Sequence, residues 1–311
     1  MFFIDKIDKP NFLEKNFKIH KVIENTIYVP IYENIKENQF PKLALKTVKT
    51  LKNNSNSKKV VLSKEIQKNK KYIDYLNYYE LEICNGKFLY ELLVPEIIKF
   101  IISKKNIKNI NISILINDLT EVAISNIIEL AKTYKSINIV TNHVEKFERI
   151  VKKLENDEGI IVTITNNKRK SLMKSQIILN IDFPNELINK YNLKDDAIII
   201  NIKQNAVIKR KRFCGTYVNN YEIDFREDMK DFNFNSEKFY LKDIYESMLY
   251  KRQNIDDLKK KLKQDNVKIV SIYWVIILNY YFCKQNNLKK LLYSNKLYKN
   301  LWFPLLIFIK I

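Results

Sequence analysis

The chain has 311 residues, 46% of them apolar, which suffices for one or two hydrophobic cores and argues against extended disorder. A formal charge of +20 invites a nucleic-acid partner, but only 6 of the 55 basic residues are arginine, the side chain best suited to forked phosphate and base-edge contacts. With only 3 glycines there are few places for a tight phosphate-cradling turn, so nucleotide chemistry through a Gly-rich loop is disfavoured from the outset.

From the N-terminus, Thr26 to Ile31 reads as a strand, Lys42 to Leu51 as a helix, and Lys52 to Lys59 as a polar loop leading into a second strand at Val60–Leu62. Ser63 has the character of an N-cap for a tyrosine-rich helix running through Tyr79, and a third strand, Leu81 to Cys84, ends at Asn85-Gly86. Residues 1–86 are therefore expected to form a small N-terminal α/β unit. Residues 87–105 repeat apolar positions at helical spacing and read as a connecting helix, which Pro95 either kinks or restarts. Glu91, Glu96 and Lys99 interrupt that segment well short of a membrane span.

Five β-branched runs follow, Ile112 to Ile116, Ile137 to Val140, Ile160 to Ile164, Ile177 to Ile181 and Ala197 to Ile202, with a helical pattern between each pair. Helices are expected at Glu121 to Tyr134, Val144 to Asn156, near Lys168 to Lys174 and near Asn185 to Tyr191. This alternation predicts a Rossmann-like, doubly wound parallel sheet over residues 106–205. The order of elements over residues 25–205 resembles the architecture of the shikimate dehydrogenase and glutamyl-tRNA reductase type of protein. That resemblance implies a nicotinamide-dependent oxidoreductase, yet Asn117-Asp118-Leu119-Thr120 stands where such a fold places its glycine fingerprint, and no catalytic motif carries over. The richness in Lys, Asn and Ile resembles proteins encoded by A/T-rich, low-GC bacterial genomes.

Residues 206–265, with a strand at Tyr217 to Phe225 and a helix around Ile255 to Leu262, are expected to be a C-terminal extension packed on the second domain. The last segment, 266–311, is anomalous. It holds 7 lysines and no acid, where about six acids would follow from the density in the rest of the chain. Read from the third base of the Ile272 codon, Ile272 to Ile277 can encode Leu-Leu-Gly-Asn-Asn, an ordinary strand-to-turn ending, so a frameshift near residue 270 is the expectation, and resequencing the gene checks it.

Cys84, Cys214 and Cys283 lie far apart and match no metal spacing, so no metal site is expected and Cys84 reads as a small buried hydrophobe. Reduced thiols and the absence of a recognisable signal peptide make a cytoplasmic location the expectation. In an open parallel sheet, ligands sit outside the carboxyl ends of the strands. The polar residues expected there, and so the candidate cofactor-binding set, are Asn117, Asp118, Thr120, Asn142, His143, Asn166, Lys168 and Arg169. Helix capping explains many of them equally well. Asn142-His143 followed by Lys146 suits a phosphorylated ribose, which makes NADP, and after it NAD, the cofactor to consider; Asp182 is a candidate general base. The leading expectation is a binding protein, non-catalytic or degenerate, for a small-molecule ligand or a protein partner. The alternatives are an NAD(P)-dependent oxidoreductase with an atypical phosphate loop and a nucleic-acid-associated protein using Lys168 to Lys170 and Lys209 to Arg212. Catalysis itself is not decided by the sequence.

Overall fold

The computed structural model describes residues 1–55, 58–108, 110–202, 215–230, 237–250, 253–278 and 305–310. They fall into two compact units: Met1–Leu89 with Glu222–Lys268, and Tyr90–Tyr221 with Ile269–Ile311. Cys214, Cys283 and the basic run Lys209–Arg212 lie outside the described residues.

The first unit is built on a five-stranded sheet of β1 (Phe2–Lys6), β2 (Lys21–Ile23), β3 (Thr26–Val29), β4 (Lys59–Leu62) and β5 (Glu82–Cys84), in the order β2-β3-β1-β4-β5. All neighbours are parallel except the β2–β3 pair. Its helices are α1 (Phe12–Phe17), α2 (Phe40–Asn54), α3 (Lys64–Gln67), α4 (Lys70–Tyr78) and α5 (Lys87–Leu92). Leu43, Ala44, Val48 and Leu51 recur on one face of α2 and bury against Ile4, Ile27, Val29, Val60 and Leu62 of the sheet. A polar chain crosses this interior. His20 Nδ1 must donate to the Lys18 carbonyl (2.8 Å), which leaves Nε2 to accept from Thr47 Oγ1 (2.8 Å), and Thr47 in turn accepts from the Tyr72 hydroxyl (2.7 Å).

The second unit opens with α6 (Val94–Lys105), where Pro95 sits in the first turn and so starts a new helix rather than kinking a long one. Then come β6 (Ile112–Leu115), α7 (Glu121–Thr133), β7 (Ile137–Val140), α8 (Val144–Glu158), β8 (Thr163–Thr165), α9 (Lys168–Lys174), β9 (Ile177–Asn180), α10 (Asn185–Asn189), β10 (Ile198–Asn201) and β11 (Thr216–Asp224). The strands run in the order β8-β7-β6-β9-β10-β11 and each neighbouring pair is parallel. The protein is thus α/β with a doubly wound, mostly parallel sheet, whose strand order reverses between β6 and β9 and which two further C-terminal strands extend beyond β11. Buried side chains along the whole of β6, β9 and β10 explain their unbroken apolar runs, and the one hydroxyl among them, Ser113, accepts from Ser175 Oγ at 2.6 Å. β8 begins three residues later than the run Ile160 to Ile164 suggests, because it is an edge strand and Ile161 is left 79% exposed.

After β11 the chain forms α11 (Leu241–Met248) and α12 (Ile255–Gln264), and this segment belongs to the first unit, not to the second as expected. Packing explains the difference: Phe239 and Ile244 close an apolar cluster with Val61 and the buried Cys84, and the Glu246 carboxylate accepts from the backbone N–H groups of Asn85 (3.4 Å) and Leu89 (3.2 Å) around the start of α5. Gly86, at φ +73°, sits under α11, where an added Cβ would lie 2.8 Å from Lys242 Cδ and 3.2 Å from Asp243 Oδ1. Gly86→Ala is therefore expected to cost about 2 kcal/mol in denaturant unfolding, from left-handed backbone strain and overpacking together. Of the segment read as out of frame, β12 (Lys268–Leu278) and β13 (Leu305–Lys310) pair antiparallel. No helix among the described residues is long and apolar enough to cross a membrane.

Candidate functional site

The turns that leave β6, β7 and β8 at their carboxyl ends frame a crevice of about 500 Å³ in the second unit, lined by Asp118, Asn142, His143, Val144, Glu145, Lys146 and Asn166. Chain topology places them together: each follows a parallel strand, so three turns meet along one sheet edge. Four of the eight candidate residues, Asp118, Asn142, His143 and Asn166, are in this lining. Asn117, Thr120, Lys168 and Arg169 are not.

Those four have other local surroundings. Thr120 caps α7, its hydroxyl accepting from Ala123 N at 3.2 Å. The Lys168 ammonium lies 5.8 Å from the centre of the Phe183 ring, and Arg169 stands exposed on α9, whose cap is Asn167. Asn117 holds the framework: its side-chain oxygen accepts from Asn142 N at 3.0 Å, which joins the β6 turn to the β7 turn. The hydroxyls of Thr141 and Thr165 accept from His143 N (3.1 Å) and Asn167 N (3.0 Å), closing the two short turns that present the lining.

Asp182 occupies the strand-order reversal. From the turn after β9, both of its carboxylate oxygens accept from Asn117 N, at 2.9 and 2.8 Å, and one also accepts from Asp118 N at 2.7 Å. In a glycine-fingerprint fold these first-turn amides approach the pyrophosphate. Here the chain's own anion satisfies them. Asp182 is thus committed as an acceptor to two backbone amides, which leaves it poorly placed for the role of general base weighed from the sequence. The pairing spans 65 positions of sequence, so no local pattern announces it.

The crevice is electrically mixed. Asp118 and Glu145 are acidic, Lys146 is basic and lies 3.8 Å from Asp118, and Asn142 and Asn166 supply neutral donors and acceptors. The first turn of α8 adds the positive end of a helix dipole, and His143, the residue before it, makes no side-chain capping bond. Among the described residues no group of three His, Cys, Asp or Glu is placed to hold a metal ion. Val144 and Glu145 are lining residues that sequence reasoning missed; their place just after His143, in the first turn of an amphipathic helix, was the signal available.

No protein-family model matches the chain, and no curated relative is found by sequence. Among solved structures it is similar to ornithine transcarbamoylase from Giardia lamblia, at 11% identity over 64% of this chain and 72% of that one, with a TM-score of 0.24. It is also similar to a putative aspartate carbamoyltransferase from Trypanosoma cruzi, at 12% identity over 79% of each chain, with a TM-score of 0.26. Neither is a dehydrogenase, so the resemblance to the shikimate dehydrogenase and glutamyl-tRNA reductase type is withdrawn, and with it the support it lent to an oxidoreductase. Overlaps this weak carry no activity across to this chain.

Proposed function

We propose that the second unit is a binding module whose crevice takes a small polar molecule bearing both an acidic and a basic group. The observation that carries this reading is the occupancy of the Asn117 and Asp118 amides by Asp182, which leaves a pyrophosphate without its usual seat, beside two carboxylates, Asp118 and Glu145, that would repel it. The same charges suit a zwitterion. A carboxylate would face Lys146 and the head of α8, and an ammonium would face Asp118 and Glu145.

Thermal melting of the full chain against free α-amino acids, dicarboxylates, NAD and NADP tests this. A zwitterion at a hundredfold excess over its Kd should stabilise the fold by about 2.7 kcal/mol, seen as a shift of several degrees. Lys146→Glu and Asp118→Lys should each remove the shift while leaving the melting temperature of the free protein near its starting value, because both side chains are half-exposed or more and their pairing is long. A shift with NADP that matches or exceeds that of every zwitterion would overturn the reading, as would zwitterion binding unaffected by both substitutions.

A further inference from the structure

The first unit carries an apolar surface that its own fold leaves uncovered. In α1, Glu14 is the buried residue, whereas Phe12, Leu13 and Phe17 are exposed, Phe12 and Phe17 by 78% and 65%. Val22 and Ile23 of the edge strand β2 and the nearby Ile19 are also exposed. The two elements are fastened side by side: Lys21 of β2 reaches Glu14 of α1 at 2.5 Å, and Ile19 N donates to the Glu14 carbonyl. Exposed large apolar side chains this dense between residues 12 and 23 are of the kind that marks an interaction surface.

Charge selects the partner. Between residues 8 and 24 there are four lysines, Lys9, Lys15, Lys18 and Lys21, against two exposed acids, Asp8 and Glu24; the third acid, Glu14, is buried and already engaged by Lys21 and by the backbone of Asn11. A basic rim around projecting aromatic rings complements an anionic surface with a soft apolar interior. A second copy of the chain would bring these lysines against their own kind on a molecule of charge +20. Side chains this exposed also project instead of lining a groove, so a protein partner would have to supply a deep matching hollow, whereas a lipid interface accommodates them without one.

We infer that α1 and β2 form a peripheral docking surface for an anionic lipid bilayer, with Phe12, Leu13 and Phe17 entering the headgroup region and Lys9, Lys15 and Lys18 meeting lipid phosphate and carboxylate groups. Flotation of the full chain with phosphatidylcholine vesicles, with and without phosphatidylserine, tests it. The protein should float with the phosphatidylserine vesicles, each lysine near the surface contributing about a fivefold gain in partition. The double variant Phe12→Ser, Phe17→Ser keeps every charge and should partition at least about tenfold less, whereas Phe12→Leu with Phe17→Leu should retain most of the binding. Equal melting temperatures for the three proteins would establish that the loss is not one of folding. A serine variant that floats like the parent would overturn the inference by reducing the effect to the attraction of a +20 protein for an anionic surface. So would failure to float with either vesicle, or a dimer in sedimentation analysis that the serine substitutions dissociate.

Discussion

Replacing Asp243 with Asn is expected to make the protein more stable at alkaline pH and to expose a pH dependence that the parent conceals. Asp243 lies on α11 with no exposed surface; one oxygen accepts from Gln67 Nε2 at 2.7 Å and the other has no hydrogen-bond partner. Burial pushes its carboxyl up to about 7, with Glu246 adding to the rise, against the opposing pull of Lys242 and the Gln67 hydrogen bond. A raised carboxyl pKa means that the folded state holds the proton more tightly than the unfolded state. Its contribution is therefore fully present below about 4 and is lost as pH rises to about 7, on the order of 2–3 kcal/mol between pH 5 and pH 8. His20 works in the opposite sense. Burial, assisted by the charge of Lys46, pulls its imidazole down to about 4 against the hydrogen bond to the Lys18 carbonyl, so its contribution is complete above the ordinary imidazole value and is lost as pH falls toward 4, by about 2 kcal/mol over the same pH interval. The two slopes nearly cancel. Urea unfolding from pH 5 to pH 8 should give a nearly flat profile for the parent, a rising one for Asp243→Asn and a falling one for His20→Gln. Parallel profiles for all three proteins would show that neither group titrates between these limits.

How much of this was legible in advance depends on how far apart the interacting residues lie. Strands β6, β7, β9 and β10 are continuous apolar runs because both faces are covered, and that pattern alone conveys parallel, doubly wound architecture. The central strand of the first sheet, β1, went unread because it ends in the charged pair Asp5-Lys6; Asp5 is buried there beside Lys238, 233 positions away, whose ammonium lies 3.1 Å from its carboxylate. The placement of α11 against β4 and β5 was equally hidden, since Glu246 finds its donors at Asn85 and Leu89. In the crevice, the strand-end rule located Asp118, Asn142, His143 and Asn166 without knowledge of contacts, because topology alone puts strand ends at one edge. Which side chains would turn inward was not available: Lys168 to Lys170 read as one basic cluster, yet Asn167 before it is consumed as a helix cap and Lys168 lies over Phe183.

Removing the Asp182 carboxylate should have both a structural and a chemical consequence, and the two can be separated. In Asp182→Ala the Asn117 and Asp118 amides lose a charged acceptor held at 2.7 to 2.9 Å, and the turns after β6 and β9 lose the contact that joins them across the reversal of strand order. Loss of charge-assisted hydrogen bonds to partly buried backbone predicts a cost of about 2–3 kcal/mol in urea unfolding. Asp182→Asn retains one acceptor oxygen at that place and should cost about half as much. If the carboxylate fills a seat that an external anion could otherwise take, inorganic phosphate should raise the melting temperature of the Ala variant toward that of the parent and leave the parent itself unmoved. An Ala variant as stable as the parent would show that the contact adds nothing, and phosphate stabilising both proteins equally would place its binding elsewhere. The expected pair of results would explain how a doubly wound sheet keeps its strand-order crevice without a glycine fingerprint: the anion belongs to the chain, and the ligand is left to the neighbouring space between β6, β7 and β8.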